Sequence, residues 1–448
     1  MILSAWRFRF LFLGFVTAFC VLTLLPPARG ASVQVVCPGG GPGAFPSITA
    51  ALSTLNPNDG NTITVSGTCV ENIFFANFER LVIQAAFGQR ATIRAADPAG
   101  IVLQTFQSTG ILFTNLVIQG GSTGILLNQG SNVTIVNCAI QGNSGDGLDM
   151  QMASTLVMEN STIQDNQGNG MAVAVGSNAT MATQPNERIR VLRNGGDGID
   201  VDGSFFQVNF GTLDVENNGG AAIAQTGGRI LIFGDGVGGG NLFQGNGEGI
   251  DVFNAGSAQF FGRNVIQNNG DVGLQILGSS VAIFGSGTLP DGSLKYRSTI
   301  IEGHATVGVN VVRLGELTMS GTHQIQNNGS LAADPTLRGG IRVARGSLTL
   351  TNGVQISNNT GPGIRADQNT GTSVTNVTVS GNTEEGIHVD RQSVAGFIQP
   401  LSIVGNGTAS ISCDTTSLIF GDLAGVAGIN CMRIERQVGP PHPGRVRP

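Results

Sequence analysis

An all-β solenoid of stacked coils is the fold class this sequence predicts, and three observations predict it. A small residue followed by an aliphatic one recurs from Gly100-Ile101 through Gly124-Ile125, Gly147-Leu148, Gly170-Met171 and Gly198-Ile199 to Gly386-Ile387, with nine of eleven steps between 23 and 28 residues. That period is too long for a heptad and too short for a helical-pair repeat or a propeller blade. Inside each period, alternating runs such as Asn132-Val133-Thr134-Ile135-Val136 read as short strands, separated by turns such as Gln141-Gly142-Asn143-Ser144-Gly145. Composition agrees: Gly is 68 of 448 residues, about twice the usual share and without a collagen period, and a charged fraction of 12% excludes a charge-extended disordered chain.

The elements follow in order. Residues 1–30 read as a secretory signal peptide: Arg7 and Arg9 precede an apolar run from Phe10 to Leu25, then Pro26, Pro27 and Ala28-Arg29-Gly30. Residues 31–99 form an N-terminal cap, in which Ser47 caps a short helix with Ile48, Leu52 and Leu55 on one face, before the strand Thr62-Ile63-Thr64-Val65. Residues 100–400 hold about 12 coils of three strands each, stacked because one coil cannot bury its own apolar face. Asn and Gly suit turns that need positive φ. Two steps are longer because of insertions near Gly285–Ser298 and Gly329–Arg338, the first holding Lys295, Tyr296 and Arg297. Residues 401–431 close the far end and 432–448 form a disordered tail.

Without Arg7, Arg9 and Arg29, 20 basic residues face 29 acidic ones, a net of −9 that argues against nucleic acid as partner. No later stretch is apolar for long enough to span a bilayer, so a secreted, periplasmic or cell-surface location is expected. Export permits disulfides, and the pairs closest in sequence are Cys37 with Cys69 and Cys413 with Cys431. Cys138 is left over and shares a face with Ile140, which suits a buried, inert thiol. No spacing suits zinc.

Between Val33 and Cys431 the chain resembles the right-handed parallel β-helix group of pectin-lyase-like architecture. Ser47-Ile48-Thr49-Ala50-Ala51-Leu52 through Thr62-Ile63-Thr64-Val65-Ser66-Gly67-Thr68-Cys69-Val70-Glu71-Asn72 is similar to the opening of many secreted bacterial members. The resemblance implies the fold and leaves activity open, because the architecture hosts lyases, hydrolases, epimerases and adhesins alike. The group's polygalacturonases carry an adjacent Asp-Asp pair, a Gly-His-Gly and an Arg-Ile-Lys. Here Gly303-His304-Ala305 echoes one of the three, and the Asp-Pro-His of mannuronan epimerases is missing.

If the aliphatic after each Gly points inward, the next residue points outward, and stacking lines those residues into a ladder. It reads Val102, Leu126, Asp149, Ala172, Asp200, Ala224, Asp251, Gln275, Asn310, Arg342, Arg365, His388. Carboxylates occupy the middle and basic residues the C-terminal end. Asp149, Asp200 and Asp251 are two coils apart, about 9–10 Å, while Asp200 and Asp202 lie about 6.5–7 Å apart along one strand, the better spacing for paired acid and base on a glycan. Gly195-Gly196-Asp197-Gly198-Ile199-Asp200 matches half of a calcium-binding nonapeptide, so Asp197 and Asp200 are the candidate calcium ligands and no other cofactor is indicated. Arg342, Arg365 and His388 would bind a uronate carboxylate and take its α-proton. The plainer reading of both groups is the polar outer face that any soluble solenoid needs. His304 and His323 have no evident partner and read as structural.

The expectation is an exported β-helix repeat protein acting as a non-catalytic surface or matrix component in contact with polysaccharide or cell-surface glycan. The alternative is a lyase or glycoside hydrolase acting on a uronate-containing polysaccharide. The mature chain has no Trp and one Tyr, which lowers the expectation of tight neutral-sugar stacking.

Overall fold

The computed structural model describes residues 30–182, 187–209, 212–234, 240–288, 294–296 and 298–431. The expected signal peptide, the expected tail and Arg297 lie outside them. Apart from the short helix Ile48–Leu52 and one 3₁₀ turn at Pro335–Leu337, every regular element is a strand. The alternating Val/Ile/Leu positions put one aliphatic per rung inside, as in Thr155–Glu159, where Leu156 and Met158 are buried and Thr155, Val157 and Glu159 face outward. Among the described residues all coil-to-coil strand pairings are parallel; Ser286–Thr288 with Leu294–Tyr296, in the first insertion, and the single bridge Gly41 to Ala44 are antiparallel.

Each coil contributes one strand to a sheet of 15 and two to a larger sheet of 27, whose two faces are joined where long strands such as Thr62–Val70 and Gly371–Ser380 run around the corner. The stack makes about 14 turns, not 12, because strands in both end segments join it: Ile73–Ala76 is the first strand of the 15 and Ile429–Asn430 the last. One contiguous apolar core fills the rod from Val35 to Leu423. Ser47 accepts a hydrogen bond from Ala50 N and caps the helix, which buries Ile48, Ala51 and Leu52 over the first coil. Disulfides join Cys37 to Cys69 and Cys413 to Cys431. Cys138 is 1% exposed, and burial pushes its thiol up to about 11, so it is inert.

The turn residues do two different jobs. Asn217, Asn268, Asn327 and Asn358 have φ near +55°, the left-handed conformation expected of turn Asn. The Asn that follows each of them is buried and belongs to a ladder. Asn143, Asn166, Asn194, Asn218, Asn246 and Asn269 are each 1–3% exposed. Asn143 through Asn246 each donate Nδ2 to the Oδ1 of the next, as in Asn194 to Asn218 at 2.9 Å, and the same oxygen accepts a backbone N–H of the coil before, while Asn269 donates to Phe243 O. Four residues on from Asn143, Asn166, Asn194 and Asn269 stands Gly: at Gly147 a Cβ would lie 2.7 Å from Asn166 Nδ2 and from Gly170 O, so close coil packing demands glycine there.

His304 takes the place of Asn in this ladder. Its Nδ1 accepts from Asn269 N at 3.3 Å and its Nε2 donates to Ile266 O at 3.0 Å. That pattern needs a neutral ring, and burial pushes the imidazole down to about 4. The unfolded chain takes up this proton near pH 6.5 and the folded chain does not, so the group's contribution to stability is lost as pH falls from about 6.5 to about 4, by about 3 kcal/mol at most. His304→Asn should therefore lose less melting temperature between pH 7 and pH 4.5 than the wild type in thermal unfolding; equal losses would contradict the assignment.

Candidate functional site

The candidates lie on the outward face of the 15-stranded sheet, in rows set by the pairing. Asp149 pairs with Leu126 and Ala172, Ala172 with Asp200, Asp200 with Ala224, and Ala224 with Asp251. The column continues through Gln275, Asn310, Arg342, Arg365 and His388 to Ser412 and Asn430. At the other end the register expected from Gly100-Ile101 is corrected. Leu103, not Ile101, pairs with Ile125, so Gln104 stands in the column and Val102 is fully buried. Gly100 closes a turn through its N–H to Asp97 O and only imitates the repeat.

In the acidic half, three carboxylates already have structural work on one oxygen each. Asp149 Oδ2 accepts from Gln151 Nε2 at 2.7 Å, and Asp146 Oδ1 from Asn169 N at 2.7 Å. Asp197 Oδ1 accepts from Ala221 N at 2.7 Å. Among the described residues, the one set of three or more His, Cys, Asp or Glu with ligand atoms within 4.8 Å of one another is Cys37, Cys69 and Glu71. Two of those are disulfide-bonded, and Asp197 and Asp200 belong to no such set among the described residues. Asp200 is half-buried and its carboxyl is pushed up to about 6, first by burial and then by Asp197 and Asp202. Asp202 is exposed. Asp251 is 6% exposed and its carboxyl is raised, first by burial and then by the neighbouring Glu248.

The basic half is different. Arg342 donates from Nη1 to Asn310 Oδ1 at 2.9 Å, and Arg365 lies 3.6 Å from Glu384. His388 shares hydrogen bonds with Ser412 Oγ at 2.8 Å and Asp390 Oδ2 at 3.2 Å. Two residues further along their strands are Asp367 and Asp390, on the same outward face. Asp367 is 4% exposed and its carboxyl is raised by burial and by the neighbouring Asp390. Arg391 approaches it at 3.5 Å. Burial lowers the Arg342 guanidinium from its ordinary value, with Arg365 adding to the effect and Asp367 opposing it. Of ten buried side-chain polar atoms without a hydrogen-bond partner among the described residues, four are here: Arg342 Nε, Arg365 Nε, Asp367 Oδ1 and Asp390 Oδ1. Unsatisfied buried polar groups are rare enough that four in one place call for an explanation.

The second insertion borders this patch. Asp334, which caps the 3₁₀ turn through Thr336 N at 2.8 Å, is close enough to Arg342 and Arg365 for both to favour its ionised form. Sequence reasoning missed Asp367, although its spacing of two from Arg365 is the same as that of Asp390 from His388. Gly303-His304-Ala305, the echo of a catalytic motif, supplies a ladder rung.

Fold and site together define a parallel β-helix that carries a mixed-charge patch on one sheet face. Residues 84–236 and 248–419 match the family model of the right handed beta helix region, and the chain belongs to that family. Among solved structures it is similar to the A-module of mannuronan C-5 epimerase AlgE4 from Azotobacter vinelandii, at 14% identity over 83% of this chain and 92% of that one, with a TM-score of 0.42. Pectate lyase Pel9A is similar at 13% identity over 87% and 81% of the two chains, TM-score 0.28. The catalytic domain of a GH87 α-1,3-glucanase in complex with tetrasaccharides matches at 12% identity over 93% and 70%, TM-score 0.24. Likeness at this level assigns no chemistry to this chain. No curated protein matches the sequence significantly.

The raised Asp200 carboxyl has a measurable consequence. Its ionised form is disfavoured in the fold, so the stability it contributes is present below about pH 4 and lost as pH rises through about 6. Asp200→Asn should stabilise the protein at pH 7.5 by about 1 kcal/mol, after allowance for solvent screening of a half-exposed group, and by nothing measurable at pH 4. Denaturant unfolding at the two pH values checks this; a loss of stability at pH 7.5 would show Asp200 to be a satisfied structural carboxylate.

Proposed function

We propose that the protein is an exported, non-catalytic β-helix that binds uronate-containing polysaccharide along the Arg342–Arg365–His388 row. The observation that carries the reading is the cluster of four buried polar atoms without a hydrogen bond at Arg342, Arg365, Asp367 and Asp390, of which only Asp367 Oδ1 has an ion pair, with Arg391 at 3.5 Å. Two guanidiniums on adjacent strands repel each other, and an incoming carboxylate relieves that repulsion while accepting two parallel N–H bonds. Asp367 and Asp390 supply acceptors for sugar hydroxyls beside it. Two disulfides accord with an oxidising compartment, and no described helix is long and apolar enough to cross a membrane.

A second reading rests on the His388–Asp390 hydrogen bond. An imidazole held by a carboxylate, next to an Arg that binds a uronate, has the parts of a base for the α-proton and so of a lyase.

Titration calorimetry with oligogalacturonate, alginate oligosaccharide and a neutral glucan separates the readings, together with assays for reducing ends and for unsaturated uronate. Binding of an acidic oligosaccharide is expected, weakened about tenfold or more by Arg365→Ala, without product. Absence of binding would overturn the proposal, and product that disappears in His388→Ala would replace it with the lyase reading.

A further inference from the structure

The outward column of the 15-stranded sheet carries its charges in blocks. Carboxylates stand at Asp149, Asp200 and Asp251, separated by Ala172 and Ala224. Then come the amides Gln275 and Asn310, joined by a 2.9 Å hydrogen bond, and after them Arg342, Arg365 and His388. Charge therefore changes sign along the rod at the Gln275–Asn310 border. A face of this kind is complementary to itself when turned end for end.

The geometry points to an antiparallel pairing of two copies of the chain through this face, on a two-fold axis that runs parallel to the strands through the Gln275–Asn310 border. Counting rungs outward from that axis gives the contacts. Gln275 meets Asn310 of the second copy, Asp251 meets Arg342, Ala224 meets Arg365, and Asp200 meets His388. Each pair occurs twice, as a two-fold interface requires. Asp200 meets the base His388, Arg342 donates to the Asp251 carboxyl, which burial keeps largely protonated, and at the rung between them the smallest side chain meets the longest.

The neighbouring column reinforces the pairing. Two residues along the same strands, Leu277 and Val312 flank the axis and Phe253 and Ala344 follow on either side. Turned end for end, Leu277 meets Val312 and Phe253 meets Ala344, an apolar centre with charges outside it, which is the usual anatomy of an interface. One contact is unfavourable: Asp202 meets Asp390 at the edge, beside His388. Eight rungs at ~4.8 Å and a strand width of ~13 Å give about 1,000 Å² buried in total, at the low end for a specific contact. The association is accordingly weak, concentration-dependent and reduced by salt, which screens the charge pairs.

Sedimentation velocity of the purified chain in the absence of glycan tests the pairing. A reversible dimer is expected that grows with protein concentration and shrinks with NaCl. Arg365→Glu, which sets an acid against the partner's acidic block, and Asp200→Lys, which sets a base against the partner's basic block, should each weaken self-association about tenfold or more. An equimolar mixture of the two variants should restore the dimer, because each then offers the charge the other lacks; this also shows that both are folded. A monomer at every concentration would overturn the inference, as would variants that still self-associate or a mixture that stays monomeric. The pairing does not rest on the polysaccharide reading, which calorimetry tests separately.

Discussion

Every coil of this rod must hand its neighbour hydrogen bonds in the same register, and the buried Asn ladder is where that requirement is strictest. An Asn in the ladder uses Nδ2 on one side and Oδ1 on the other, and Oδ1 serves both an amide side chain and a backbone N–H. Removing one rung would leave donors on the coil before it unpaired in a dry interior, at a cost of about 1–3 kcal/mol. The glycine four residues on lets consecutive coils approach closely enough for those bonds to form. Insertions are tolerated only where they leave this register intact. The chain does so after Asn328, which bonds to Asn359 across 31 residues at 2.9 Å.

That rigid register turns sequence spacing into surface chemistry. Residues a full coil apart become neighbours one strand spacing apart, so a column of like residues is also a column of close contacts. The acidic and basic halves of the sheet face respond differently to this crowding. Around Asp149 and Asp197 the carboxylates accept from a side-chain amide or a backbone N–H, and Asp251 is buried with its carboxyl raised. Around Arg342 and Arg365 the charges are brought together without completing each other's hydrogen bonds. The first arrangement leaves one buried oxygen without a hydrogen bond, Asp251 Oδ1, and the second leaves four such atoms, which the proposed anionic ligand would complete.

The periodic Gly-aliphatic pairs made the coil legible because they follow directly from packing. The Asn ladder was hidden in the same sequence: in Gln267-Asn268-Asn269-Gly270 both Asn read as turn residues, yet Asn268 has φ of 51° and Asn269 is 2% exposed. The recurrence of Asn four residues before Gly147, Gly170, Gly198, Gly273, Gly363 and Gly386 would have exposed it. The end coils were missed because Ile73 and Ile411 have no Gly before them, their neighbours being Asn72 and Ser410. Among the candidates, the column from Leu126 to His388 stacks as its spacing implied. Asp367 escaped notice because a buried carboxylate on an outward position becomes visible only once Arg391 and Asp390 are placed around it.

The central claim is that the Arg342–Arg365–His388 row and its two carboxyls are a ligand site rather than solvated polar surface. A crystal structure of the protein with an acidic tetrasaccharide tests this most directly. The account predicts sugar carboxylate oxygens within hydrogen-bond distance of the Arg342 and Arg365 guanidiniums, with Asp367 or Asp390 on a hydroxyl. An oligosaccharide lying on another face, or an unoccupied sheet face at saturating ligand, would contradict it.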